Sequence, residues 1–134
     1  MAGTAAIRVL VVDDHAVVRL GVTRVLSNAP DVVVVGEAAN GDEGVRLAEE
    51  RAPDVILMDL SMPVLDGIEA TRRVREAMRA VQVVVLTSFS DRDRILQALD
   101  AGAIGYLLKD AEPAELLAGV RAAARGESSL AIAP

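Results

Sequence analysis

The sequence predicts a single α/β domain, a (βα)5 fold with a five-stranded, doubly wound parallel sheet and helices on both faces. Two observations lead to this prediction. Short aliphatic runs alternate five times with segments whose apolar residues recur at helical spacing, and the connections between them are short. Nearly continuous aliphatic runs are typical of strands covered on both faces. The length of 134 residues is that of one domain.

The first half of the chain contains two strand–helix units. In order, the predicted elements are a strand over 7–12, a helix over 16–26, a strand over 32–35 and a helix over 41–51. The strands are rich in valine, and apolar residues fall on one side of each helix. Pro30 and Pro53 follow the two helices, as expected where a helical pattern stops.

The second half contains three more units. In order, they are a strand over 55–58, a helix after Asp66, a strand over 82–86, a short helix after Ser90, a strand over 104–108 and a helix from Pro113. Asp66 suits an N-cap, Ser90 with Asp93 resembles a capping box, and Pro113 suits a first helical turn. Gly102 and Gly126 end the last two helices.

Composition narrows the possible functions. Hydrophobic residues make up 52% of the chain, but Phe89 and Tyr106 are the only aromatic residues, so a flat cofactor would find few stacking partners. The net charge of -6 argues against direct nucleic-acid binding. Cysteine is absent, which excludes disulfides and thiolate chemistry. The sequence shows no signal peptide and no long apolar run, so a cytoplasmic location is expected.

Polar residues stand where the predicted strands end. Asp13 and Asp14 follow the first strand, Asp59 the third, Thr87 the fourth and Lys109 the fifth. Because ligands bind at the carboxyl ends of strands in open parallel sheets, these side chains are expected to form one site. Clustered carboxylates repel one another unless a divalent cation neutralises them.

This residue set suits phosphoryl transfer. Mg²⁺ takes oxygen ligands and is commonly held by one or two carboxylates together with substrate phosphate. Lys109 is the only lysine among 14 basic residues, which favours a specific task for its compact charge. With the cation and Lys109 stabilising a transferring phosphoryl group, Asp59 can act as the nucleophile.

Four motifs at these strand ends resemble the receiver domain of bacterial two-component response regulators, over nearly all of the chain. They are Val-Val-Asp-Asp-His at 11–15, Met-Asp-Leu-Ser-Met-Pro-Val-Leu-Asp-Gly at 58–67, Leu-Thr-Ser at 86–88 and Gly-Tyr-Leu-Leu-Lys at 105–109. The first and last look most like the NarL/LuxR-type subfamily. The resemblance implies a flavodoxin-like sheet of strand order 2-1-3-4-5.

The resemblance also implies roles for individual residues. Asp59 would accept a phosphoryl group from a partner histidine kinase, and Lys109 would pair with that group. Asp13, Asp14, Asp59 and the backbone carbonyl of Ser61 would hold Mg²⁺.

Two further residues would respond once the phosphoryl group is attached. Thr87 would move toward it, and Tyr106 would change rotamer on the face formed by the fourth helix, fifth strand and fifth helix. The rotamer change would expose or hide a partner surface. A phosphorylation-modulated homodimer is expected, and its interface, either this face or the first and fifth helices, stays open.

The resemblance implies a domain plan in which 1–127 form the receiver and 128–134 begin a linker. A C-terminal helix-turn-helix domain, outside this sequence, would bind DNA and regulate transcription. The linker-like ending favours a truncated chain over a stand-alone receiver. The domain would be the substrate of its own single turnover, with slow self-dephosphorylation, so no enzyme class is predicted.

Two other protein classes fit these residues less well. A haloacid-dehalogenase-like phosphatase needs a second Asp two residues after the nucleophile, where this chain has Ser61. A flavodoxin-like binding module needs phosphate-binding amides in the first loop, which is acidic here. His15 is interpreted as a first-turn residue of the first helix rather than a ligand, and Asp66 as a helix cap. Asp110 stands where many receivers have a cis-proline, which disfavours a cis peptide after Lys109.

Overall fold

The computed structural model describes residues 5–62, 64–88 and 92–128, and it confirms the predicted α/β class. The elements in chain order are β1 (Ile7–Val12), α1 (Ala16–Ser27), β2 (Val32–Ala38), α2 (Gly41–Arg51), β3 (Val55–Asp59), α3 (Gly67–Ala77), β4 (Gln82–Thr87), α4 (Arg92–Asp100), β5 (Gly105–Leu108) and α5 (Pro113–Ala124). No helix of the described part is both long and apolar enough to cross a membrane.

The five strands form one parallel sheet of order β2-β1-β3-β4-β5, as the resemblance implied. The strand order reverses next to β1, and β1 and β3 are direct neighbours. Their carboxyl ends therefore lie side by side at the position where open parallel sheets bind ligands. The fold places Asp13, Asp14 and Asp59 at one edge before any side-chain interaction is considered.

Three strands run further toward this edge than the sequence predicted. β2 continues to Ala38 because its ladder with β1 pairs Val12 with Ala38. β3 includes Asp59, which pairs with Leu86, and β4 includes Thr87. The two polar residues are thus the last members of hydrogen-bonded strands, which fixes their backbones more firmly than a loop would.

Two aliphatic clusters cover the two faces of the sheet. One packs α2, α3 and α4 against one face, and the other packs α1 and α5 against the opposite face. Successive residues of each central strand pack alternately into one cluster and the other. β3 is buried along its whole length. The sequence signal for this arrangement was the continuous aliphatic character of the strands.

The helix caps agree with the predicted chemistry where they can be seen. Asp66 is the N-cap of α3, and its Oδ1 accepts hydrogen bonds from the backbone N–H groups of Ile68 and Glu69 at 3.0 and 3.1 Å. The proposed Ser90 capping box and the residues of the expected linker beyond Ser128 lie outside the described residues. Among the described residues no peptide bond is cis, including the one after Lys109.

Candidate functional site

Three carboxylates and one ammonium group converge at the carboxyl edge of the sheet. Lys109 Nζ lies 3.0 Å from Asp59 Oδ1 and 3.9 Å from Asp13 Oδ2. Asp14 joins them as the residue after Asp13, and its side chain is partly exposed. The backbone of Lys109 is itself fixed, because its N–H donates to the carbonyl of Thr87 at 2.9 Å. The residues predicted at the ends of β1, β3 and β5 therefore do meet.

The two innermost carboxylates are buried and incompletely satisfied. Asp13 is 0% exposed and Asp59 is 1% exposed, yet Oδ2 of each has no hydrogen-bond partner. Buried polar atoms normally have a partner, and an unpaired buried carboxylate oxygen is unfavourable. The negative charges of Asp13, Asp14 and Asp59 exceed the single positive charge of Lys109, so a further cation would stabilise the site.

Burial raises the pKa of Asp59 from 3.8 to about 6. The hydrogen bond from Lys109 acts in the opposite direction, while the negative charge of Asp13 raises the pKa further. At neutral pH the carboxyl is still mainly ionised, but it is more basic than an ordinary aspartate. A more basic carboxylate is a better nucleophile, and an incoming cation would relieve the repulsion from Asp13.

Backbone groups that follow β3, at Leu60, Ser61 and Gly67, are fixed close to Asp59. The N–H of Ser61 donates to Asp59 Oδ1 at 3.3 Å, and the N–H of Gly67 donates to the carbonyl of Leu60 at 3.0 Å. A Cβ at Gly67 would lie 2.0 Å from the carbonyl oxygen of Asp59, so only glycine allows this approach. Ser61 itself is exposed.

The two predicted switch residues lie on the neighbouring strands. Thr87 is 1% exposed, and its hydroxyl donates to the carbonyl of Ser88 at 3.2 Å. Tyr106 lies on β5, opposite Val85, and packs half-buried against the cluster on the α3 and α4 side. Thr87 is therefore at the site edge, whereas Tyr106 is three residues before Lys109 on the packed face toward α4.

His15 lies beside the carboxylates at the carboxyl edge of the sheet. It is the N-cap residue of α1, one position before the predicted first turn, and its side chain makes no capping hydrogen bond. Its Nδ1 lies 3.2 Å from Asp14 Oδ1 and 3.4 Å from Asp13 Oδ1. Ligand atoms of Asp13, Asp14, His15 and Asp59 all lie within 4.8 Å of one another.

Two arginines near the site were not singled out from the sequence. Arg19 Nη1 donates to the carbonyl of Asp13 at 2.6 Å, and its Nε lies 3.2 Å from Glu37. Arg94, on α4, donates to the carbonyl of Leu60 at 2.8 Å. Both contacts join residues that are distant in sequence or on different elements, so no local pattern indicates them.

The donor set fits a hard divalent cation. Asp13 and Asp59 contribute buried oxygens without hydrogen-bond partners, and Asp14 contributes a third carboxylate at the solvent side. Mg²⁺ prefers this kind of oxygen-rich site, with water completing its coordination. The residues present are therefore sufficient to hold such an ion beside Asp59 and Lys109.

Comparisons with known proteins agree with this architecture. Residues 9–121 match the model of the response regulator receiver domain. The transcriptional regulatory protein LiaR of Bacillus subtilis is 50% identical over 124 residues, which are 92% of this chain and 59% of LiaR. The nitrate/nitrite response regulator NarL of Escherichia coli K12 is 45% identical, over 91% of this chain and 56% of NarL. The chain spans less than two thirds of the length of these relatives.

Solved structures give the same result. The receiver domain of the response regulator NarL from Mycobacterium tuberculosis superposes with a TM-score of 0.89 at 37% identity, covering 92% of this chain and all of that one. A LuxR-family response regulator from Aurantimonas sp. SI85-9A1 superposes with a TM-score of 0.86 at 39% identity, covering 92% of this chain and 89% of the other.

Proposed function

Since the chain belongs to the response regulator receiver family, in its NarL/LuxR-type branch, we propose that it is a phosphorylation-dependent switch whose phosphoacceptor is Asp59. The phosphoryl donor would be the phosphohistidine of a sensor kinase. The observation that carries the proposal is the buried, unpartnered Oδ2 of Asp59, in a carboxylate whose Oδ1 lies 3.0 Å from Lys109 Nζ.

In the proposed reaction, a carboxylate oxygen of Asp59 attacks phosphorus and the bond between phosphorus and the donor nitrogen breaks. The electron pair of that bond leaves with the imidazole, and an acyl phosphate forms on Asp59. Ser61 N–H and Lys109 Nζ hold Oδ1 at 3.3 and 3.0 Å, which fixes the orientation of the carboxylate. Fixed orientation is the main contribution that a protein makes to phosphoryl transfer.

Charge on the transferring group would be stabilised from two sides. Lys109 supplies one positive charge on a compact ammonium that reaches both Asp59 and Asp13. Bound Mg²⁺, held by Asp13, Asp14, Asp59 and the carbonyl of Ser61, would supply the second charge and offset the repulsion among the carboxylates.

The output of the switch would start at Thr87. Its hydroxyl now donates to Ser88, and an acyl phosphate at the neighbouring strand end offers a stronger, charged acceptor. A shift of Thr87 would change the packing available to half-buried Tyr106 on the α4-β5-α5 face. The charge of the acyl phosphate would thus favour one of two arrangements of the Thr87 hydroxyl and the Tyr106 ring, as local charge changes do in other protein switches.

The partners follow from the same proposal. We infer a sensor histidine kinase upstream, a phosphorylation-modulated homodimer, and an output domain that binds DNA and regulates transcription. The receiver would occupy 1–127, with a linker from 128. Ser61, in place of an acid/base aspartate, leaves no general base two residues after the nucleophile, which favours a lasting acyl phosphate over phosphatase turnover.

The proposal is tested by intact-mass measurement after incubation with acetyl phosphate and Mg²⁺. Wild type is expected to gain one phosphoryl group, and Asp59→Asn none. Asp66→Asn is the matched control, since it neutralises a nearby carboxylate but keeps a good helix cap, and it should gain the group as wild type does. Gain in Asp59→Asn, or full gain by wild type in EDTA, would refute the assignment.

A further inference from the structure

His15 is the one member of the carboxylate cluster that carries a nitrogen donor. It stands at an N-cap, where Ser, Thr, Asp or Asn usually accepts a hydrogen bond from the helix. His15 makes no such bond with its side chain. Its backbone N–H donates instead to Asp13 Oδ1 at 2.8 Å, so the residue is fixed to the site by its main chain. The imidazole therefore has no capping role and lies beside the carboxylates.

The imidazole nitrogen lies close to two carboxylates but makes no hydrogen bond to either. Nδ1 lies 3.2 Å from Asp14 Oδ1, yet this buried oxygen has no hydrogen-bond partner, so the pair is close in distance but poorly aligned. Nδ1 also lies 3.4 Å from Asp13 Oδ1. Two polar atoms that lie this close without a hydrogen bond between them have the separation of two ligands of one ion.

The separations agree with that arrangement. Adjacent ligands of an octahedral ion at about 2.1 Å lie about 3.0 Å apart, and tetrahedral zinc ligands lie slightly further apart. The ligand atoms of Asp13, Asp14, His15 and Asp59 all fall within 4.8 Å, a span that small side-chain rotations can close onto one ion. His15 is 62% exposed, so its ring is free to make such a rotation.

We propose that His15 is a ligand of this site, which therefore takes imidazole-preferring divalent transition ions such as Zn²⁺ in addition to Mg²⁺. The inference rests on the metal site of the proposed function and adds a selectivity to it. Three carboxylates alone suit Mg²⁺, whereas a mixed set of oxygen and imidazole donors favours first-row transition ions. His15 thus decides which ions compete for the space beside Asp59.

The test compares binding of Mg²⁺ and Zn²⁺ by calorimetry to wild type, His15→Phe and His15→Asn. The phenylalanine variant removes the donor but keeps a planar ring, and the asparagine variant keeps a favourable N-cap. Loss of the imidazole should weaken Zn²⁺ binding by about tenfold or more in both, as removal of a metal-site residue commonly does. Mg²⁺ affinity should stay within about twofold.

Because His15 is the only histidine, its ring nitrogens can be observed without ambiguity by nitrogen NMR of the labelled protein. Zn²⁺ is expected to shift the Nδ1 resonance and leave the proton on Nε2, whereas Mg²⁺ should shift neither nitrogen as a ligand would. A Zn²⁺ titration that leaves Nδ1 unaffected, or equal losses of Mg²⁺ and Zn²⁺ affinity in the variants, would overturn the role of His15.

The two proposals fail in different ways. Wild type that binds Mg²⁺ and accepts a phosphoryl group, but whose His15 does not respond to Zn²⁺, would refute only the selectivity. Wild type that binds no Mg²⁺ at all would remove the metal site itself and with it the basis of the proposed function.

Discussion

Asp31 and Asp59 are the same chemical group at opposite edges of one sheet, and the protein shifts their pKa values in opposite directions. At the amino edge, just before β2, the guanidinium of Arg121 makes two hydrogen bonds of 2.8 Å to Asp31 and lowers its pKa. At the carboxyl edge, burial raises the pKa of Asp59 to about 6 despite the ammonium of Lys109.

The two edges differ in whether their carboxylates already have partners. Asp31 is exposed and fully paired, so its charge adds a little to the stability of the fold. Its carboxylate needs no ligand as a further partner. Asp59 is buried with one oxygen unpaired, so its charge opposes folding until a ligand arrives. We interpret the unfavourable buried carboxylate at one edge, in contrast to the paired Asp31 at the other, as the mark of a reserved edge, where a ligand would bind.

Removal of the charge at Asp59 should change the stability of the protein most. Without metal at pH 7.5, Asp59→Asn should raise the free energy of unfolding by about 2 kcal/mol, because a neutral amide of similar size replaces a desolvated carboxylate. Urea unfolding in EDTA measures it. Asp66→Asn is the control and should change stability far less, because Asn replaces Asp well at an N-cap. A destabilised Asp59→Asn would contradict the reserved-edge interpretation.

Asp59→Asn also shows how the Asp59 carboxyl makes the free energy of unfolding depend on pH. Below its unfolded pKa of 3.8, Asp59 is protonated in both states and does not oppose folding. Between pH 3.8 and about 6 the unfolded chain loses this proton while the folded protein keeps it, so rising pH favours unfolding. The stability difference between Asp59→Asn and wild type should therefore grow through this window and stay constant above it. A difference that is flat from pH 4 to 7 would show that Asp59 is not shifted.

Lys109 should have an intermediate effect. Lys109→Met keeps the aliphatic stem and removes the charge that lies 3.0 Å from Asp59, so the pKa of Asp59 should rise further. We expect a folded protein that is destabilised by roughly 1 kcal/mol at pH 7.5 and that accepts phosphoryl groups much more slowly.

Placing Lys109→Met in the Asp59→Asn background provides the control, because the lysine then has no buried carboxylate to stabilise. The loss seen in the wild-type background should largely disappear in this double variant, as measured by urea unfolding. An equal loss in both backgrounds would assign Lys109 to packing of its stem rather than to the charge of Asp59.

How far the sequence predicts this site depends on which contacts are set by the backbone. Strand order and strand ends bring Asp13, Asp59 and Lys109 together. The strand ends follow from apolar runs followed by polar residues, whereas the strand order was implied only by the family resemblance. The position of the His15 ring and the reach of Arg94 to Leu60 depend on rotamers and on how α1 and α4 pack. Such choices are made in tertiary structure and leave no periodic signal. Strand lengths were underestimated because ladders continue past the last aliphatic residue into Asp59 and Thr87.

The smallest expected effect lies at the amino edge. Arg121→Gln should lower the melting temperature only slightly, and less than Lys109→Met, because its ion pair with Asp31 is exposed to solvent and its side chains lose freedom to form it. Salt of about 0.5 M should reduce the difference from wild type, since screening acts on exposed pairs but hardly on the buried charges of the other edge. Asp31→Asn is the matched partner variant, and it should give a similar small loss. If Arg121→Gln lowered the melting temperature as much as Lys109→Met, and did so equally at high salt, the ion pair would hold α5 to the start of β2 as a structural clamp. The contrast between a satisfied edge and a reserved one would then rest on Asp59 alone.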